Sequence, residues 1–219
     1  MEIDYIDYFN KIYPRWNKDL NGLIKILVHD DNADALIYLL KEANNLNIKI
    51  APNEKYKIID NYSYQIGIQN KVSLLHAGLM LNYMFIVIGA IEGNHFNMFL
   101  YAYEKFSQDE EHDMTEFLMT AIKAGNVDVL KYFVETGDLI IDYDDILADI
   151  IANAAISNRT NILNYLVEIG IVDLDALRTY ASINYDKNIL NFVNSYTILG
   201  KRKRTEETTL GTESKRYKY

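Results

Sequence analysis

The segment AIKAGNVDVLKYFVETG, residues 121–137, recurs 33 residues further along the chain as AAISNRTNILNYLVEIG, residues 154–170. Self-similarity at a fixed period of roughly 20–50 residues indicates an array of stacked structural units. Each unit of such an array buries its apolar face against its neighbours, and the array presents a long surface for binding. The positions that fall in register are Ala121/Ala154, Val129/Ile162, Leu130/Leu163, Tyr132/Tyr165, Phe133/Leu166, Val134/Val167, Glu135/Glu168 and Gly137/Gly170.

The pattern inside the first copy predicts two helices joined by a tight turn. Apolar residues in 114–124 recur at the spacing of one helical face, and Asp128 begins a second helix after the interruption at Gly125 and Asn126. Gly137 stands where a left-handed residue would end that second helix. The predicted inner positions are Phe117, Leu118, Ala121 and Ile122 in the first helix and Val129, Leu130, Phe133 and Val134 in the second.

This arrangement resembles the ankyrin repeat, in which an alanine-like position, a Gly-His turn, two aliphatic pairs and a closing glycine follow one another. The resemblance rests on Ala121-Ile122, Gly125-Asn126, Val129-Leu130, Phe133-Val134 and Gly137. It implies an all-α, ankyrin-like helix-pair repeat solenoid. The family's Thr-Pro-Leu-His helix start is missing, and Glu116-Phe117-Leu118-Met119 stands in its place. We therefore expect an irregular solenoid rather than one with regular β-hairpin loops.

Weaker copies of the template extend over residues 20–195. Their alanine-equivalent positions are predicted at residues 27, 62, 90, 121, 154 and 181. His95 occupies the turn position of its copy, and the resemblance implies that it hydrogen-bonds the next loop. The supporting matches are Leu27-Val28, Ala35-Leu36, Leu39-Leu40, Leu74-Leu75, Gly78, Asn82, Ala90-Ile91, Asn94-His95, Met98-Phe99, Ala102-Tyr103, Ala181-Ser182, Ile189-Leu190 and Val193.

We expect about five or six ankyrin-like repeats over residues 21–198, a capping helix in residues 1–20 and a disordered basic tail over residues 199–219. Terminal units of an array need caps to cover the exposed core. The cap is predicted from helical spacing of Tyr5, Tyr8, Phe9, Ile12 and Trp16. A chain of 219 residues with 49% hydrophobic content is sufficient for one domain of ordinary size.

Residue usage is biased toward types with AT-rich codons, including 18 tyrosines against one tryptophan. The chain resembles the divergent ankyrin proteins of large nucleocytoplasmic DNA viruses, including giant viruses. Residues 81–93 in particular are similar to the asfarvirus multigene-family proteins. AT-rich protists and intracellular bacteria are the alternative sources. The viral resemblance implies a protein that acts on a host factor.

Several features of the sequence indicate the cellular compartment of the protein. The chain has no cysteine, which excludes disulfides and thiolate metal sites and fits a reducing compartment. The acidic N-terminus lacks the layout of a signal peptide. The most apolar run, residues 80–91, is shorter than the ~20 residues that span a bilayer, so we interpret it as a buried first helix of a repeat. We expect neither secretion nor membrane insertion.

The last 19 residues, KRKRTEETTLGTESKRYKY, carry seven basic and three acidic residues, whereas residues 1–200 carry 15 basic and 28 acidic ones. Such a tail offers too little apolar surface to offset the entropy of ordering. Its basic clusters resemble a bipartite nuclear-import signal, with a monopartite form in the first cluster. The expected import motif comprises Lys201, Arg202, Lys203, Arg204, Lys215, Arg216 and Lys218. A generic solubilising tail is the alternative interpretation.

The acidic body is expected to bind basic host proteins and to repel nucleic acid, because nucleic-acid affinity depends on neutralising phosphates. The tail is expected to bind an import adaptor. Together these features predict a host location in both nucleus and cytoplasm. The predicted partner-binding residues are Asp109, Glu110, Glu111, Asp142, Asp144 and Asp145. The alternative is that they form only a solvated acidic rim.

No catalytic, metal or cofactor pattern emerges from the sequence. His29 and His76 have no acidic or hydroxyl partner at a motif spacing, and His112 lies in the acidic run QDEEHD without a Ca²⁺-loop template. Gly89, Gly93 and Gly125 form no phosphate-binding loop. The sequence therefore predicts a protein that is not an enzyme and that uses no metal and no cofactor.

The leading hypothesis is a protein–protein interaction scaffold, a virus-encoded modulator of a host factor with a nuclear-import tail. A structural or virion-associated protein is one alternative. A ubiquitin-ligase substrate adaptor, as some poxviral ankyrin proteins are, is another. That function normally requires an F-box-like C-terminal segment, for which residues 191–219 predict no apolar helices.

Overall fold

The computed structural model describes residues 11, 20–42, 50, 54–107, 114–137 and 144–196, and within these ranges the secondary structure is entirely helical. The all-α prediction is therefore confirmed for this part of the chain. The elements are α1 (Leu20–His29), α2 (Ala33–Glu42), α3 (Glu54–Gln69), a 3₁₀ helix (Val72–His76), α4 (Tyr83–Glu92), α5 (Phe96–Ser107), α6 (Thr115–Ala124), α7 (Val127–Thr136), α8 (Asp144–Ile156), α9 (Thr160–Glu168), α10 (Leu174–Asn184) and α11 (187–196).

The chain divides into two compact units, residues 1–139 and 140–219. In the first unit α1, α3, α4 and α6 pack successively against one another, and α1, α4 and α6 each also contact the helix that follows them, α2, α5 and α7. The partners α5 and α7 also contact each other, so this unit has two helical layers around one apolar core. In the second unit α8 packs against α9, and Asn188 at the start of α11 donates a hydrogen bond to the end of α8.

The strongest copy of the repeat folds as its periodicity predicts. In α6 the buried residues are the four predicted ones, and in α7 Val129, Leu130 and Phe133 are buried whereas Val134, also predicted, is only half-buried. Helix α7 begins at Val127 rather than at Asp128, because the Asn126 side chain caps it by accepting a hydrogen bond from the Val129 amide. Ala121 and Ala154 are both fully buried. Gly137 and Gly170 have positive φ angles of 77° and 74°, as expected for glycines that end helices.

One turn geometry recurs at the end of the first helix in six helix pairs of the described chain. In each case the first helix ends at a residue with positive φ, and the next amide donates a hydrogen bond to a fully buried residue five positions earlier. This is the Schellman arrangement, which satisfies a carbonyl at the end of the helix. The six residues that accept this bond, here called anchors, are Leu27, Ile66, Ala90, Ala121, Ala154 and Ala181, and the N···O distances lie between 2.7 and 3.0 Å.

Five of the six anchors are at the predicted positions, and the prediction at Tyr62 is wrong by one helical turn. Ile66 accepts the turn hydrogen bond, from the Lys71 amide at 3.0 Å. The two residues are four apart on one buried face of α3, so their periodicity is the same. Asn70, with φ of 55°, identifies the correct register, because asparagine tolerates the left-handed conformation.

Helices α3 and α4 cross with their backbones in close contact. A Cβ atom added at Gly67 would lie 2.3 Å from the Ile86 carbonyl oxygen. One added at Gly89 would lie 2.3 Å from the Tyr64 carbonyl oxygen. Glycine is therefore required on both sides of this crossing. From the sequence, Gly89 was assessed only as part of a phosphate-binding loop, and its role in the close crossing of α3 and α4 was not predicted.

An aromatic cluster joins α5, α6 and α7 in the first unit. Phe99 and Tyr103 are stacked with ring centroids 5.4 Å apart, and Tyr132 meets both rings edge-on. Such offset and edge-to-face pairs add about 0.5–1.5 kcal/mol each beyond the burial of apolar area. The other members of the cluster are Phe96, Phe106, Phe117 and Phe133.

Three other segments complete the comparison with the sequence. The apolar run at residues 80–91 contributes α4, which is largely buried over residues 86–91, although Met80 precedes the helix and is 74% exposed. Residues 191–196 are helical and bury Phe192 and Val193, so the expectation of no apolar helix after residue 190 is wrong for these residues. The predicted cap, apart from Lys11 and Leu20, and the predicted tail lie outside the described residues.

Candidate functional site

The turns of neighbouring helix pairs are joined by hydrogen bonds from a side chain to a main-chain carbonyl. The acceptor in each case lies one or two residues after an anchor, where a helix end leaves its carbonyls without helical partners. In the first unit the Lys71 ammonium donates to the His29 carbonyl at 2.8 Å, and the His95 Nε2 donates to the Ile68 carbonyl at 3.1 Å. We call these bonds the turn ladder.

Asn126 forms the next bond of the turn ladder and also caps a helix. Its Nδ2 donates to the Ile91 carbonyl at 3.1 Å, while its Oδ1 accepts from the Val129 amide at 3.2 Å. The side chain is almost fully buried, and both ends of the amide are hydrogen-bonded. In the second unit the Asn188 Nδ2 donates to the Ala155 carbonyl at 3.2 Å.

His95 forms a hydrogen bond between helix pairs, but the predicted partner is wrong. Its ring bonds the helix end of the preceding pair rather than the next loop. The equivalent roles of Lys71, Asn126 and Asn188 were not predicted. The signal available in the sequence was a side-chain donor within one residue of the start of each second helix.

The surface position two residues after each anchor carries unlike side chains. In the first unit it is occupied by His29, Ile68, Glu92 and Lys123, and in the second unit by Ile156 and Ile183. Ile156 is 81% exposed and Ile183 is 69% exposed, which is unusual for isoleucine. The buried anchors are therefore uniformly apolar, whereas the position two residues later is cationic, anionic or apolar and is exposed in every turn except that of Ile68, which is half-buried.

Three tyrosine hydroxyls in the first unit have raised pKa values. Burial, followed by the charges of Asp31 and Asp34, raises the pKa of Tyr62. Burial and a hydrogen bond to the Glu92 carboxylate raise the pKa of Tyr64 to about 12. Burial also raises the pKa of Tyr83, with a smaller effect from its hydrogen bond with Tyr101. Each of these shifts favours the neutral phenol, so none of the three is prepared to act as a base near neutral pH.

The described histidines do not converge on a common site. The His29 Nδ1 lies 2.8 Å from the Asp30 carboxylate, a neighbouring acidic partner that motif spacing did not reveal, and both side chains are well exposed. His76 is exposed and meets the Tyr101 ring edge-on at 6.1 Å. His112 lies outside the described residues. Within the described ranges no three His, Asp or Glu side chains are grouped so that they could hold a metal ion.

The predicted binding residues fall mainly outside the described part of the chain. This applies to the whole import motif, residues 201–218, and to Asp109, Glu110, Glu111 and Asp142. Asp144 and Asp145 form the first residues of α8. Their roles remain predictions from the sequence.

Two further findings concern membrane-spanning helices and similarity to known proteins. None of the helices in the described ranges combines the length and apolar character needed to cross a bilayer. No protein-family model, curated protein or solved structure matches the chain.

Proposed function

We propose that this protein is a non-enzymatic protein–protein interaction scaffold, built as an ankyrin-like helix-pair solenoid. The observation that carries the proposal is the combination of a repeated framework and a varied surface. Six turns share one hydrogen-bond geometry around fully buried anchors, while the position two residues after the anchor is histidine, glutamate, lysine or, in three turns, isoleucine. A framework of this kind can hold unlike side chains in fixed positions and so recognise a partner over an extended area.

The proposed partner is a host protein with a basic surface, and the proposed role is that of a virus-encoded modulator. Support comes from the charge of the chain, which carries a formal −9 in total and is more negative over residues 1–200. Charge of this magnitude raises the encounter rate with oppositely charged proteins and disfavours binding to nucleic acid. The resemblance to ankyrin proteins of large DNA viruses supports the host-directed role.

The interaction proposal can be tested by cross-linking and affinity purification of the full chain from host cells. We expect a reproducible partner that is lost when Ile156→Asp and Ile183→Asp are combined. The matched control combines Asn191→Asp with Asn194→Asp, which adds the same charge at exposed positions of α11. If the wild-type chain captures no reproducible partner, the scaffold proposal is wrong. If both double variants retain the partner equally, the proposal is wrong for the second unit's surface.

We further propose that residues 201–218 direct nuclear import. Two basic clusters separated by ten residues suit an adaptor with two acidic grooves, because an extended segment can deliver one cluster to each. Alanine substitution of Lys203, Arg204, Lys215, Arg216 and Lys218 should move a large reporter fusion from nucleus to cytoplasm. Substitution of one cluster should give an intermediate distribution. A fusion that stays nuclear without both clusters would refute the import role.

A further inference from the structure

A groove opens on the surface of the first unit between α5 and α7. It encloses about 350 Å³ and is lined by Phe96, Asp128, Lys131, Tyr132 and Glu135. Phe96 comes from the first turn of α5, and the other four residues come from one face of α7 at the i, i+3, i+4, i+7 spacing. We call this the α5–α7 groove.

The aromatic wall of the α5–α7 groove is held in a fixed orientation. Tyr132 is half-buried, and its ring contacts Phe96, Phe99 and Tyr103 edge-on, at centroid distances of 6.4, 5.4 and 5.7 Å. Phe96 is in turn stacked on Phe99 at 5.8 Å. Because these rings are fixed by packing, a ligand that meets their faces loses little side-chain entropy on binding.

The polar wall of the groove is predominantly anionic. Asp128 and Glu135 are exposed carboxylates on either side of Tyr132, and Lys131 contributes the one positive charge among the lining residues. A ring face beside carboxylates is the environment that a guanidinium or ammonium group prefers, since it combines cation–π attraction with ion pairing. Arginine suits it better than lysine, because its planar group can stack and form paired hydrogen bonds.

A second cavity shares Phe96 with the α5–α7 groove. It encloses about 250 Å³ and is lined by Asn70, Asn94, His95 and Asn97 in addition to Phe96. The three asparagines are exposed, and each amide offers both a donor and an acceptor. These are the groups that can pair with the main chain of an extended peptide as it passes from one cavity to the other.

We infer that the α5–α7 groove binds an arginine side chain of an extended basic segment in a partner protein, with the peptide main chain lying along the asparagine-lined cavity. The inference rests on the proposed scaffold function and assigns it a specific partner chemistry. The Tyr132 ring stacks on the guanidinium, Phe96 borders it at an angle of 71° to Tyr132, and Asp128 and Glu135 form its ion pairs. The charge of the whole chain, −9, has the sign that such a partner requires.

The test measures binding of a fluorescein-labelled Gly-Ser peptide with two central arginines to the full chain by fluorescence anisotropy. A peptide with citrulline in place of arginine is the ligand control, because citrulline keeps the shape and removes the charge. We expect the arginine peptide to bind and the citrulline peptide to bind at least about fivefold more weakly. Equal binding of the two peptides, or no binding of the arginine peptide, would overturn the inference.

The protein variants separate the groove from general charge attraction. Asp128→Asn combined with Glu135→Gln should weaken binding about five- to tenfold. The matched control, Asp149→Asn with Glu168→Gln, makes the same charge change at exposed sites of the second unit and should alter binding less than twofold. Equal losses in the two doubles would refute the groove as the site.

A third variant, Tyr132→Leu, tests the aromatic wall and is checked for folding by circular dichroism. It should weaken binding of the arginine peptide about threefold and leave binding of the citrulline peptide unchanged. An equal effect on both peptides would point to a packing role and contradict the inference. The Asp128/Glu135 double variant is also carried through the cellular purification. A partner retained there despite failed peptide experiments would leave the scaffold proposal intact and reject only the groove.

Discussion

Replacement of Gly89 by alanine tests the close crossing of α3 and α4. The new Cβ atom would lie 2.3 Å from the Tyr64 carbonyl oxygen, whereas ordinary contact begins at 3.4 Å, so the helices must separate by about 1 Å. The obstructing atom belongs to the main chain and cannot rotate away. Overpacking of this kind costs about 1–3 kcal/mol, and we expect the upper end of that range. Alanine recovers about 1 kcal/mol through its greater helix propensity, which leaves a net loss of about 2 kcal/mol.

The assay is urea unfolding of the full chain, monitored by circular dichroism. Amide hydrogen exchange then locates the effect in α3 and α4. The variant Gly67→Ala obstructs the other close approach, because its added Cβ atom would lie 2.3 Å from the Ile86 carbonyl oxygen. Since either variant already separates the two helices, the double variant should lose less stability than the two single losses combined. Asn194→Ala, at an exposed position of α11, controls for helix propensity alone. A Gly89→Ala chain as stable as the wild type would refute the close crossing.

Four further outcomes are expected. Tyr62→Phe should stabilise the chain by about 1 kcal/mol in thermal unfolding, because the fully buried hydroxyl has no hydrogen-bond partner among the described residues. Asn126→Ala should cost about 2 kcal/mol in urea unfolding, since it removes a helix cap and one hydrogen bond to the Ile91 carbonyl, which then keeps only main-chain donors such as the Asn94 amide. Gly170→Ala should cost about 1 kcal/mol in the same assay from its positive φ alone, because nothing obstructs the added Cβ. In an alkaline absorbance titration Tyr64 should ionise near pH 12, and Glu92→Gln should lower its pKa.

The sign of the alkaline effect follows from the direction of the tyrosine shifts. An unfolded tyrosine loses its proton near pH 10, whereas the folded Tyr64 holds it to about pH 12. Between these values the unfolded state binds fewer protons, so the free energy of unfolding should fall as the pH rises. A chain whose unfolding free energy rises over this interval would contradict the assignment.

Local periodicity predicted the helix pairs because burial imposes the same spacing on every copy. Ala121, Ala154, Ala90 and Ala181 are fully buried anchors as expected, and the glycines at 137 and 170 adopt the predicted left-handed conformation. The error at Tyr62 has a simple cause. Two buried residues one turn apart satisfy the same period, and the anchor of that pair is the branched Ile66 rather than a small residue.

Contacts between helix pairs were not predictable in the same way. The proximity of Gly67 to Gly89 depends on how two helices cross. A glycine inside a helical pattern does not indicate which residue of another helix packs against it. The α5–α7 groove likewise brings Phe96 beside Tyr132 from a different helix pair. Of the turn ladder, only His95 was anticipated, because the ankyrin resemblance supplied its role.

The turn ladder has a consequence for how chains of this type can change length. In every bond a side chain of one helix pair meets a main-chain oxygen of the pair before it, and every residue has such an oxygen. The donors already include lysine, histidine and asparagine, so the joint requires a suitable donor on one side and no particular residue on the other. A duplicated or transplanted helix pair would therefore bring its own means of attachment, and gain or loss of whole pairs would need no compensating substitution in the preceding pair to keep this bond.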